Sequence, residues 1–130
     1  MKRILIVDDV LGWRTFHRNA ILEIFDKNEE IEFLTTSSAR EAYDILLQNT
    51  SAPFDYILTD MQMEEDFLPK YAGEWLIEQI KTFECYNNTK VIIISSAYNI
   101  KEIAKFYDVN CIPKPTATTC LSAYRELMLT

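Results

Sequence analysis

The sequence predicts a doubly wound α/β domain, a five-stranded parallel sheet covered by helices on both faces. Two observations carry that expectation. Short apolar runs alternate with longer amphipathic segments along the whole chain. The runs Ile4-Leu5-Ile6-Val7 and Val91-Ile92-Ile93-Ile94 are apolar at every position, the pattern of a strand buried on both faces.

The first of these runs is the first strand, and it ends abruptly in Asp8-Asp9. Over residues 10–26, Trp13, Phe16, Ala20 and Ile24 recur at helical spacing, with Ile21 and Phe25 widening the stripe. Trp13, Phe16 and Phe25 are expected to face the core, and the lone His17 to be structural or exposed. Lys27-Asn28-Glu29-Glu30 stops this helix, and the more polar residues 31–35 read as an edge strand. Ser38 followed by Glu41 has the form of a capping box and opens a helix carrying Ala42, Ile45 and Leu46. Ser51-Ala52-Pro53 breaks the chain before Tyr56-Ile57-Leu58-Thr59, a third strand that delivers Asp60.

An irregular stretch over residues 61–72 contains the acidic cluster Glu64-Glu65-Asp66 and Pro69. Gly73 ends it, and Leu76, Ile80 and Phe83 mark the next helix. The run from Val91 is the most apolar in the chain, so it is expected to be the fourth and central strand, closed by Ser95-Ser96. Asn99, with Glu102 three residues on, caps a short helix bearing Ile103, Ala104 and Phe106. A brief strand around Cys111 and Ile112 leads into Pro113-Lys114-Pro115. One last helix, the fifth, carries Leu121, Tyr124, Leu127 and Met128.

Composition narrows the function. The chain of 130 residues is expected to be one domain, 1–130, with no room for a second of ordinary size. Hydrophobic residues at 48% and charged residues at 25% suit a folded domain with a core. The 13 Lys+Arg and 20 Asp+Glu leave a net charge of -7, which repels a phosphate backbone and disfavours nucleic-acid binding. No apolar run approaches the ~20 residues that span a bilayer, and the start of the chain reaches charge too soon for a signal peptide. Cys85, Cys111 and Cys120 are odd in number and lack C-x-x-C spacing. Neither a disulfide framework nor a zinc site is expected, and they read as small buried hydrophobes, reduced in the cytoplasm.

The chemistry lies at the strand ends. In a doubly wound sheet, polar groups at the carboxyl ends of the strands meet in one crevice. Those groups are Asp8 and Asp9 after the first strand, Asp60 after the third, Ser95 or Ser96 after the fourth and Lys114 after the fifth. Carboxylates held together repel unless a cation intervenes, and a hard divalent ion, Mg²⁺, suits oxygen ligands on an exposed rim. Such an ion and Lys114 would neutralise a phosphoryl group arriving at a carboxylate.

These pieces resemble the receiver domain of bacterial two-component response regulators of the chemotaxis-regulator type. The likeness rests on Ile6-Val7-Asp8-Asp9, on residues 55–63 around Asp60, on Gly73 with Leu76 and Ile80, on the strand entering Ser95-Ser96, and on Lys114-Pro115. It covers essentially the whole chain. The resemblance implies a flavodoxin-like strand order 2-1-3-4-5, with Asp60 as phosphoacceptor and Asp8 and Asp9 as the acidic pair holding Mg²⁺. It also implies that Asp60 and the backbone carbonyl of Gln62 complete the metal shell, and that Lys114 pairs with the phosphoryl oxygens. Counting from Lys90 makes Ser95 the switch hydroxyl, whereas matching Ser96-Ala97-Tyr98 would choose Ser96; the count is preferred here.

The implied function is a signalling switch, not a metabolic enzyme. It would take its phosphoryl group from a sensor histidine kinase or a histidine phosphotransfer protein. It would signal to a downstream output protein or domain, as a cytoplasmic monomer or weak dimer that binds neither nucleic acid nor membrane. Two departures from the family pattern bear on that output. The loop after Met63 is long and acidic, and Cys111 stands where an aromatic switch residue is common. They leave a second reading, a degenerate receiver that binds partners without phosphorylation. A phosphohydrolase with an aspartyl intermediate is a third, and it would want an acid at Gln62.

Overall fold

The computed structural model describes residues 1–63 and 71–129. Strands β1 (Lys2–Val7), β2 (Ile31–Thr36), β3 (Tyr56–Thr59), β4 (Lys90–Ser95) and β5 (Asn110–Pro113) form one parallel sheet in the order β2-β1-β3-β4-β5. The helices are α1 (Leu11–Ile24), α2 (Ala39–Gln48), α3 (Ala72–Ile80), α4 (Ile100–Tyr107), α5 (Lys114–Thr119) and α6 (Ser122–Met128), with a 3₁₀ turn at Glu84–Tyr86.

The unbroken apolar runs divide by parity between two cores. Leu5, Val7, Ile57, Val91 and Ile93 face α2, α3 and α4, where Ala42, Leu46, Leu76 and Ile103 meet them. Ile4, Ile6, Leu58, Ile92 and Ile94 face α1, α5 and α6, meeting Ile21, Ala117 and Tyr124. Alternate side chains of a strand point to opposite faces, so both sets are buried, and each residue removes apolar surface at about 25 cal/mol per Å². Ser38 accepts the Glu41 N–H at 3.1 Å and starts α2 as its spacing predicts.

Several expectations need correction. The central strand is β3, because the crossover from β2 to β3 passes over β1; β4 lies between β3 and β5. The last helix is two, broken at Cys120, whose backbone is extended. Pro115 is tolerated in the first turn of α5, where its missing N–H would be unbonded anyway. Thr118 and Thr119 then bond their hydroxyls back to Pro115 O, a competing pattern that weakens a helix near its end. In α1 the buried residues are His17, Ala20, Ile21 and Ile24, so the stripe is turned toward His17, leaving Phe16 36% exposed and Trp13 half-buried.

Phe106 is 81% exposed, because Ile100, Ile103 and Ala104 already fill the buried side of α4. Asn99 precedes α4 as expected but makes no side-chain cap. Cys85 and Cys111 are half-buried, and Cys120 is exposed beside the Ser122 hydroxyl, so none is a fully buried hydrophobe. The acidic cluster Glu64-Glu65-Asp66 lies outside the described residues.

Candidate functional site

Strand register assembles the site. β1 and β3 run side by side with Val7 opposite Thr59, so Asp8 and Asp60 leave the sheet at the same level. The Asp60 N–H donates to Val7 O at 2.9 Å, and the Asp8 N–H donates to Thr36 O at 3.1 Å. Ser95 lies opposite Pro113 at the ends of β4 and β5, so Lys114 emerges beside them as the first residue of α5.

Asp8, Asp9 and Asp60 each present a carboxylate oxygen within 4.8 Å of the others. The rim expected to be exposed is instead closed: Asp8 is fully buried, Asp60 is 5% exposed, and Asp9 is half-buried. Lys114, also buried, places Nζ 2.9 Å from Asp60 Oδ2 and 3.1 Å from Asp8 Oδ2. The same ammonium stands 4.7 Å from the centre of the Trp13 ring, a cation–π contact that holds it from the α1 side. The remaining carboxylate oxygens are fixed by backbone. Asp8 Oδ1 accepts the Val10 N–H at 2.9 Å, and Asp60 Oδ1 accepts the Met61 N–H at 2.6 Å. Arg14 clamps the Asp8 carbonyl at 2.7 Å.

The two buried acids are shifted in opposite directions. Burial pushes the Asp60 carboxyl above its ordinary range; Lys114 partly offsets this, Asp8 adds to it, and the Ser95 hydroxyl counters it. Burial also pushes Asp8 upward, but the combined effect of His17, the Val10 N–H and Lys114 holds it below its ordinary value. Among the described residues, the Lys114 ammonium is shared between the Asp8 and Asp60 carboxylates. Asp8 Oδ2 is buried and, although within ion-pair distance of Lys114, has no hydrogen-bond partner. An oxygen-only donor set with an unsatisfied buried carboxylate oxygen fits a hard divalent cation such as Mg²⁺.

Ser95 is 1% exposed with its Oγ accepting the Ala97 N–H at 3.2 Å, whereas Ser96 is exposed. Ser95 is the hydroxyl turned toward Asp60. The Gln62 side chain is exposed in the loop two residues past Asp60. Three neighbours that support this site from outside its donor set were missed in the reading of the sequence: Trp13 over Lys114, His17 beside Asp8, and Gly73 against the Asp60 backbone. For His17 a signal existed, since it falls three and four residues before Ala20 and Ile21 on one helical stripe.

Residues 4–124 match the family model of the response regulator receiver domain. Solved structures with the same fold include a chemotaxis response regulator of Vibrio cholerae, at 22% identity and TM-score 0.70 over 98% of each chain. A phosphorylated cyanobacterial phytochrome response regulator matches at 22% identity and TM-score 0.76, over 99% of this chain and 94% of that one. The signal receiver domain of a DNA-binding response regulator from Colwellia psychrerythraea matches at 17% identity and TM-score 0.75, over 100% of both chains. No curated protein sequence matches the chain.

Proposed function

Because the chain belongs to the response regulator receiver domain family, we propose that it is a phosphorylation switch in which Asp60 is the phosphoacceptor. The observation that carries this reading is Lys114 Nζ at 2.9 Å from Asp60 Oδ2, inside a cluster of three carboxylates. An Asp60 oxygen attacks the phosphorus of a phosphohistidine on a sensor kinase or phosphotransfer protein. The O–P bond forms as the P–N bond breaks, and the imidazole leaves with the electron pair and takes up a proton. Lys114 pairs with the phosphoryl oxygens as charge accumulates there. Asp8, Asp9, Asp60 and the Gln62 carbonyl would hold Mg²⁺, which when bound neutralises the phosphoryl charge. Attack of water on the acyl phosphate restores the carboxylate and releases inorganic phosphate.

The signal leaves through Ser95. One χ1 rotation carries its hydroxyl to a phosphoryl oxygen, drawing the segment before α4 with it. Cys111, half-buried in β5, is too small to report the change by swinging inward. The output is an altered surface over α4, β5 and the C-terminal helix α6 read by a downstream protein or domain, and the protein works in the cytoplasm as a monomer or weak dimer. Among the described residues no helix is long and apolar enough to cross a membrane.

The test is incubation with acetyl phosphate, followed by intact mass. A gain of one phosphoryl group that requires Mg²⁺ and is removed by hydroxylamine, as an acyl phosphate must be, supports the reading. A gain that survives hydroxylamine, or no gain with Mg²⁺ present, contradicts it.

A further inference from the structure

We propose that His17 is a positioning residue that ties the acid cluster to the C-terminal helix, so that a change at Asp8 is carried to α6 through Tyr124. The inference rests on the reading of Asp8 as part of the cation site.

His17 lies on α1, is 2% exposed, and stands between two groups from distant parts of the chain. Its Nδ1 is 2.7 Å from the hydroxyl of Tyr124, a fully buried residue of α6. Its Nε2 faces Asp8 Oδ2 at 3.8 Å. The rings of Trp13, at 5.4 Å between centres, and Tyr124, at 6.0 Å, enclose the imidazole. A neutral imidazole has one donor and one acceptor nitrogen, and the partner of one fixes the role of the other. A lone pair on Nε2 would face the Asp8 carboxylate and be repelled by it. The arrangement that avoids this has the Tyr124 hydroxyl donating to Nδ1 and the Nε2–H directed at Asp8.

That N–H faces the one buried oxygen of the cluster with no hydrogen bond, Asp8 Oδ2. At 3.8 Å the contact is electrostatic, and a small movement of either group makes or abolishes a bond. The helix pair moves with it, because His17 and Tyr124 are both locked in close-packed surroundings with Ala20, Ile21 and Met128. A cation that draws on Asp8 changes the field at Nε2–H and hence the strength of the Tyr124 bond. This gives the chain a route from the strand ends to α6 that does not pass through Cys111.

The test follows a Mg²⁺ titration of the full chain by calorimetry and by NMR, recording amide shifts over residues 122–128 and the imidazole nitrogens of His17. Tyr124→Phe removes only the hydroxyl, and His17→Leu removes the imidazole while keeping an apolar filler, so a folding defect in one leaves the other to decide. In the wild type the proton is expected on Nε2 before Mg²⁺ is added, and the α6 amides should shift with metal uptake. In either variant the α6 response is expected to fall roughly fivefold or more while Mg²⁺ still binds. Wild-type uptake with silent α6 amides, α6 shifts of equal size in the variants, or a proton on Nδ1 would each overturn the inference alone. No uptake by the wild type would overturn the cation reading and this inference with it.

Discussion

A side chain on Gly73 would collide with the backbone of Asp60: an added Cβ lies 2.1 Å from the Asp60 carbonyl oxygen and 2.6 Å from Met61 Cα. Gly73 donates its N–H to Met61 O at 3.0 Å, so the start of α3 is tied directly to the backbone that follows Asp60. Its φ is not positive, and glycine is needed here for close approach alone. Gly73→Ala should force that loop outward, costing about 2–3 kcal/mol of stability and weakening Mg²⁺ binding. Urea denaturation checks the first effect; an unchanged midpoint would mean that the backbone gives way freely.

Asp60 should be a liability to the metal-free fold. Burial raises its folded pKa above the ordinary value of 3.8, so its stabilising contribution is complete below that value and is lost as pH rises through the folded pKa. At neutral pH the ionised carboxylate therefore costs stability. Asp60→Asn should raise the metal-free Tm at neutral pH, by about 4 °C for each ~1 kcal/mol recovered, and the gain should shrink in acid. Asp8 has the opposite sign: its lowered pKa contributes stability above the ordinary value of 3.8 that is lost as pH falls, so Asp8→Asn should lower Tm at neutral pH. Thermal melts of the two variants without metal decide both signs, and a lower Tm for Asp60→Asn at neutral pH contradicts the first.

The cation should stabilise the protein more than an exposed rim of acids would allow. Asp8 and Asp60 are buried with one lysine between them, so an ion that binds only the folded state relieves a repulsion the fold otherwise bears. Asp9→Ala should weaken Mg²⁺ binding about tenfold or more, equivalent to ~1.4 kcal/mol. Wild-type affinity should fade on acidification as the carboxylates take up protons. Titration calorimetry is the check, and an unchanged affinity in Asp9→Ala places the ion elsewhere.

Activation should redistribute the segment from Ser95 through α4, with little repacking around Cys111. Ser95 can rotate toward a phosphoryl group, whereas Cys111 has no aromatic ring to turn inward. With beryllofluoride as phosphoryl analogue, amide exchange should change most over residues 95–107. Changes centred on Cys111 instead, with that segment still, contradict this route.

Much of this is legible in the sequence. Runs apolar at every position imply burial on both faces, and the abrupt change to Asp8, Asp60, Ser95 and Lys114 located the strand ends. What was not legible needed three dimensions. Hydropathy does not encode crossovers, so it points to the most apolar strand, β4, as the central one although β3 holds that place. Apolar spacing gave α1 its period but not its phase, because Phe16 and His17 point about 100° apart and packing against Tyr124 turned the His17 side inward. The break at Cys120 arises from threonine hydroxyls bonding back into the turn, which apolar periodicity does not register. The approach of Gly73 to Asp60 joins residues well separated along the chain, beyond the reach of any local pattern.

The most direct measurement compares the wild type with Asp60→Asn after incubation with Mg²⁺ and acetyl phosphate, read by intact mass. An amide is not a nucleophile in this setting, and the substitution leaves the size of the side chain and the neighbouring Lys114 in place. The wild type should gain one phosphoryl group and Asp60→Asn none. Equal labelling of the two proteins would show that the phosphoryl group is carried elsewhere and that Asp60 is not the acceptor.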